Sequence, residues 1–139
     1  MLLHIIARGK IGRSPEAELL ARYEKRMAWP VRVTELAETG GKAPEPVGAH
    51  RTVLLDERGR DLSSEELARQ LGRWRDEGVR ETRFLIGAAD GHDDAARAAA
   101  DMLIAFGRAT WPHLLVRAML AEQLYRAATI LTGHPYHRA

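Results

Sequence analysis

The 139-residue chain contains no cysteine. That rules out disulfide staples and thiolate catalysis, and it fits a reducing cytoplasm, the expected location. Long apolar runs are also missing. The longest fall far short of the roughly 18 residues that a bilayer span requires, so no membrane segment is expected. The opening MLLHII has no preceding basic region and no small-residue cleavage site, so a signal peptide is not expected either. Neither sign of charge dominates: 21 Lys and Arg face 19 Asp and Glu, for a net charge of +2. With a pI near 9.3, nucleic acid is permitted as a partner but not demanded. There is no G-x-S-x-G, and Ser14, Ser63 and Ser64, all at expected helix starts, are accounted for by capping. RGKIGRS (8–14) lacks the Walker spacing, and GAADG (87–91) is not the G-x-G-x-x-G fingerprint. His134 and His137 lie three apart and His113 can approach them, but no acidic residue follows Glu122 to support a metal, and none is expected.

What is present suits one globular domain spanning 1–139, with 45% hydrophobic and 29% charged residues. Strands and helices alternate. LLHIIA (2–7) reads as a buried strand. A helix follows, capped by Ser14, with Pro15 in its first turn and Leu19, Tyr23 and Met27 on one face. VRVTEL (31–36) is a second strand, ETGGKAPEPVGAH (38–50) an irregular surface loop, and TVLLD (52–56) a third strand closed by the turn ERGR. Ser63 and Glu66 form a capping box, Leu62 and Leu67 a hydrophobic staple, and Gly78 ends that helix. A fourth strand (82–87), an alanine-rich helix (93–105), a short strand (106–111) and a terminal helix (113–131) complete an α/β fold. Its sheet should be mostly parallel, with helices on both faces.

The terminal helix is apolar almost all round, with Arg117, Glu122, Gln123 and Arg126 as the polar exceptions. Such a helix must be covered on more than one side. A homodimer packing it across a two-fold axis does this; a central helix in a monomer is the alternative. Arg8, Lys10 and Arg13 gather in the first loop, either as a solvated charged loop or as a contact to RNA phosphate. Gly87, after an apolar strand, is either a tight turn or a backbone cradle at the carboxyl edge of the sheet.

The segment TWPHLLVRAMLAEQLYRAATILTGHPYHRA carries Thr110, Pro112, His113, Arg117, Leu120, Glu122, Gln123, Tyr125, Arg126, Ala127, Pro135, Tyr136, His137 and Arg138 at fixed spacings. It resembles the end of the bacterial large-subunit (23S) rRNA pseudouridine N3-methyltransferases, small members of the SPOUT class. LLDERG and FLIGAADG continue the resemblance through the rest of the chain. The resemblance implies a C-terminal trefoil knot, a homodimer, S-adenosylmethionine as methyl donor, and methylation of N3 of a pseudouridine in an intersubunit helix of 23S rRNA on the assembled ribosome. Neither a membrane nor DNA is an implied partner. It places the cofactor against Leu55, Gly87, Ala88 and the stretch Phe106, Gly107, Arg108, Ala109, Thr110 and Trp111. It places the chemistry on His113, Tyr136, His137 and Arg138. His137 or His113 would accept the N3 proton, Arg138 would stabilise the anion or grip phosphate, and Tyr136 would stack on the base; His113 has helix capping as its other reading. The chain departs from the pattern at Ala88, where a second glycine is usual, and at Phe106, Gly107 and Arg108, where small or hydroxyl residues are usual. The 38–50 loop stands where relatives have a longer, helical segment. The alternatives are a related enzyme acting on tRNA and a silent ribosome-binding module.

Overall fold

The computed structural model describes residues 1–138. Five strands, β1 (Leu2–Arg8), β2 (Val31–Leu36), β3 (His50–Asp61), β4 (Glu81–Ile86) and β5 (Met102–Ala105), alternate with α1 (Pro15–Arg26), α2 (Ser64–Asp76), α3 (Asp94–Ala99) and α4 (His113–Thr132). They form one sheet in the order β2-β1-β4-β3-β5, and every ladder is parallel.

The helix starts are fixed by local chemistry. Ser14 Oγ accepts a hydrogen bond from the Ala17 amide at 3.1 Å. Ser63 and Glu66 exchange two bonds, Glu66 N to Ser63 Oγ at 3.1 Å and Ser63 N to Glu66 Oε1 at 3.0 Å, so amides that the helix itself leaves without a partner find side-chain acceptors. Gly78, at φ +91°, follows the end of α2 where a left-handed residue lets the chain turn away.

Period-two alternation gives the sheet two different faces. Leu3, Ile5, Val53, Phe84, Ile86 and Ile104 point to one side, where Leu20 of α1, Leu67 and Leu71 of α2, and Leu120 and Leu124 of α4 close over them. α4 lies between α1 and α2. The opposite face carries His4, Leu54, Glu81 and Arg83, all buried. It is covered by the 37–49 connection and by short α3, whose Arg97 meets Asp56 at 2.8 Å. Here the polar side chains bind backbone: Val47 N donates to Glu81 Oε1 at 3.1 Å, and Arg83 Nη2 donates to the Pro44 carbonyl. Glu81 Oε2 accepts from Arg83 Nε at 2.6 Å and lies 2.9 Å from His4 Nδ1, while His4 Nε2 lies 2.7 Å from Thr34 Oγ1.

Three local expectations change. ERGR does not end the third strand. The chain bulges after Leu55 and returns to pair Arg60 with Ile104 and Asp61 with Ala105, and a Cβ on Gly59 would lie 2.5 Å from the Ile104 backbone. The alanine-rich helix stops at Ala99, because Met102–Ala105 supplies the apolar edge strand that β3 needs. Residues 106–111 are therefore loop, not strand. The third change concerns α4. No residue from 113 to 131 is more than about half exposed, and α1, α2 and the sheet cover most of its circumference within one chain. Lack of protein to cover it is thus not a reason for a dimer. Among the described residues no helix is long and apolar enough to cross a membrane.

Candidate active site

The connection after β3 runs over one face of the sheet and that after β4 over the other. Open α/β sheets bind ligands where neighbouring connections part in this way, outside the carboxyl ends of the strands. A cleft of about 540 Å³ lies there, within the range of small-molecule sites. Its aliphatic walls include Leu55, Ile86, Ile104 and Val116. Its rim is two backbone turns, Gly87–Gly91 and Phe106–Pro112. The first closes on itself through Gly91 N to Ala88 O at 2.8 Å, so tightly that a Cβ on Gly87 would lie 2.9 Å from the Gly91 carbonyl. The second turns at Gly107, φ +81°, and is latched to the β3 extension by Gly107 N to Asp61 Oδ1 at 3.2 Å and to its own start by Trp111 Nε1 to Phe106 O at 2.8 Å.

Leu55, Gly87, Ala88, Phe106, Gly107, Ala109, Thr110 and Trp111 all line this cleft, and so does His113. Arg108 sits on the same loop but points to solvent and is not part of the lining. His113 is the first residue of α4; the cap position is Pro112, and no side chain caps that end.

Tyr136, His137 and Arg138 are elsewhere. The tail folds back on the outer side of α4, where Glu122 Oε1 accepts from Tyr136 Oη at 3.1 Å and from Arg126 Nε at 2.8 Å. The Arg126 guanidinium stacks over the Tyr136 ring at 4.8 Å, and Tyr125 meets that ring edge-on at 4.7 Å. Arg126 Nη1 lies 3.1 Å from His137 Nδ1, and His137 Nε2 lies 2.7 Å from Glu65 Oε1. A guanidinium can only donate, so Nδ1 accepts and Nε2 carries the proton given to Glu65. Both imidazole nitrogens are therefore occupied. Nine residues of helix, about 13 Å of rise, separate His113 from Glu122, so one chain does not bring the two groups together.

Sequence reasoning missed the polar lining: Asp56, Glu57, Asp90 and Arg97. Burial would raise the Asp56 pKa, but the Arg58 amide and the Arg97 guanidinium outweigh it and hold the carboxyl below its usual range. Burial lowers the pKa of nearby His92, whose Nε2 lies 3.1 Å from the Leu85 carbonyl. No spacing rule links Asp56 with Arg97; only the fold does.

A family model described as "Predicted SPOUT methyltransferase" matches residues 1–137. The chain belongs to the SPOUT methyltransferase family. Among individual relatives of this SPOUT methyltransferase, a protein of Erythrobacter litoralis named "Ribosomal RNA large subunit methyltransferase H" is 73% identical, covering 100% of this chain and 99% of the relative. A protein of the same name from Novosphingobium aromaticivorans is 70% identical with 99% of both chains covered, and one from Rhodospirillum centenum is 45% identical over the full length of both. The segments that the resemblance singled out for the cofactor thus line one cleft, Arg108 excepted, whereas Tyr136 and His137 lie against Glu122, Arg126 and Glu65.

Proposed function

We propose that the protein methylates N3 of a pseudouridine in 23S rRNA on the assembled ribosome, with S-adenosylmethionine as donor, and that residues 1–139 form one such domain. The observation that carries this reading is full-length identity of 73% to a protein named as a large-subunit rRNA methyltransferase. The cleft fits the donor. It offers aliphatic walls to a nucleoside and backbone turns for close approach, and its three carboxylates, Asp56, Glu57 and Asp90, outnumber the single guanidinium of Arg97, which favours a ligand cationic at sulfur and amine. When bound there, S-adenosylmethionine supplies an electrophilic methyl group on a sulfonium. Leu55, Gly87, Ala88, Phe106, Gly107, Ala109, Thr110 and Trp111 would hold it, with Arg108 outside that set.

In the transfer, N3 forms a bond to the methyl carbon as the carbon–sulfur bond breaks, and the N3 proton leaves to a base. We assign this role to His113. It lines the cleft, whereas His137 must first release Arg126 and Glu65. The tail reaches such a site through a second copy. We infer a homodimer packed on the outer side of α4, where Leu115 and Met119 remain partly exposed between cleft and tail. An antiparallel two-fold near Met119 sets the Tyr136–Arg138 tail of one protomer beside the cleft of its partner. There Tyr136 can stack on the base and Arg138 can meet the developing anion or a phosphate. Family membership also supports a trefoil knot in the C-terminal third and work in the cytoplasm, where ribosomes are.

Mass mapping of large-subunit RNA from a deletion strain, with and without the gene restored, tests the reading. A pseudouridine that loses one methyl group in the deletion strain and regains it is the expected result. An unchanged large-subunit map with a lost methyl on tRNA would move the target. Absence of S-adenosylmethionine binding by calorimetry would leave a silent ribosome-binding module.

A further inference from the structure

We propose that the β1–α1 loop, Gly9 to Arg13, grips the RNA backbone, with Lys10 and Arg13 each meeting a phosphate. This rests on the reading of the protein as an RNA methyltransferase and adds where the chain holds its substrate. Lys10 and Arg13 are exposed, and among the described residues no carboxylate pairs with either.

The loop that carries them is fixed from below. Arg117 of α4 is fully buried, and its Nη2 donates to the carbonyls of Arg8 and Gly9, each at 3.2 Å. Its Nη1 donates to Glu35 Oε2 at 2.7 Å, and the same oxygen accepts from the Ile11 amide at 2.7 Å. Gly9 and Gly12, at φ +87° and +61°, supply the turns. Cations on a pre-formed loop lose less freedom on binding than cations on a loose one.

The position suits a substrate of the cleft. The loop leaves the carboxyl end of β1, which pairs with β4 through Ala7 and Ile86; Gly87, the next residue, lines the cleft. Arg117 lies one helical turn beyond His113, so the same helix holds the loop and opens the cleft. Glu35 is engaged by Arg117, and the other nearby carboxylates, Glu16 and Glu18 in the first turn of α1 and Glu38 close to Gly9, form no ion pair with Lys10 or Arg13 among the described residues, so both cations stay open to a phosphate. Two exposed cations with no aromatic ring and no amide side chain between them suit phosphates rather than base edges.

The test is ribosome binding as a function of salt. Lys10→Ala combined with Arg13→Ala should weaken binding and lower the slope of log affinity against log salt by about two, with S-adenosylmethionine affinity and melting temperature unchanged. Lys25→Ala with Arg26→Ala, exposed at the far end of α1, removes the same net charge and should leave the slope unaltered. Equal slopes for the loop variant and wild type overturn the proposal, as does an equal loss in the far-end control. A loop variant that loses cofactor affinity also overturns it. If wild type fails to methylate ribosomes at all, it is the proposed function that falls; if wild type methylates and the loop variant matches it, only the grip falls.

Discussion

The cleft and the tail are built on opposite plans. The cleft is a backbone construction: two turns set by Gly87, Gly91 and Gly107, with few side chains bonded across it. The tail is a side-chain lattice in which Glu122 serves Tyr136 and Arg126, and Arg126 and Glu65 hold His137 between them. Peptide groups on closed turns keep their geometry with or without a ligand. Long side chains in a lattice can exchange partners, as groups that must let go of one bond to make another require. On the proposed reading, the first region holds the donor and His113, and the second meets the base and a phosphate.

The sharpest way to break the comparison is to disable one region at a time. Removing residues 136–139 should lower ribosome methylation by at least about 100-fold while calorimetry finds cofactor affinity nearly intact. A truncated protein with ordinary single-turnover rates would end the tail's proposed part. Ala109→Trp fills the cleft from an exposed position and should weaken S-adenosylmethionine more than about tenfold, or 1.4 kcal/mol, without lowering the melting temperature. Mixed with the truncated chain, it should restore activity that neither homodimer has, because one protomer then supplies the cleft and the other the tail. No recovery on mixing argues for a site contained in one chain.

Smaller effects sharpen the lattice. Glu122→Gln keeps the shape and removes the charge that Arg126 and Tyr136 share, so denaturant unfolding should show a loss of about 1.5–3 kcal/mol. A value near zero would mean the tail is not docked as described. The smallest effect is a titration. Burial, with Tyr23 and the Glu122 carboxylate beside it, pushes the Tyr136 phenol up from 10.0 to about 12. A raised pKa contributes stability that is fully present below pH 10 and lost as pH rises through 12. The hydrogen bond from His137 lowers the Glu65 pKa below 4.5; its contribution has the opposite sign, present above that value and lost as pH falls through the folded pKa. Absorbance titration should therefore show one of the three tyrosines ionising late, and Tyr136→Phe should abolish that step.

Much of the architecture was legible in the residues. Ser14, Ser63 with Glu66, and Gly78 mark helix ends by chemistry that acts within four residues, and β-branched runs mark strands. The limits of α3 and β5 were not legible, because an alanine-rich stretch continues a helix by propensity until the edge of β3 claims Met102–Ala105. The rim of the cleft was found through family likeness, since backbone contacts leave no side-chain signature. Asp56 with Arg97, and Glu65 with His137, join residues far apart in sequence, which no periodicity encodes. Glu122 and Arg126 did leave a trace, as polar residues on an otherwise apolar helix.

The connection from β2 to β3 crosses the sheet as a strap fastened at a few points. Arg8 holds the carbonyls of Ala37 and Gly40, Arg83 that of Pro44, and Glu81 the amide of Val47. Between Gly40 and Pro44 no hydrogen bond among the described residues fastens it, and a slack span between rivets can lengthen cheaply, at about 0.6 kcal/mol for each doubling. That span is where the chain can accept a peptide tag or a fluorophore, leaving the rivets, the sheet beneath them and the cleft at its edge undisturbed.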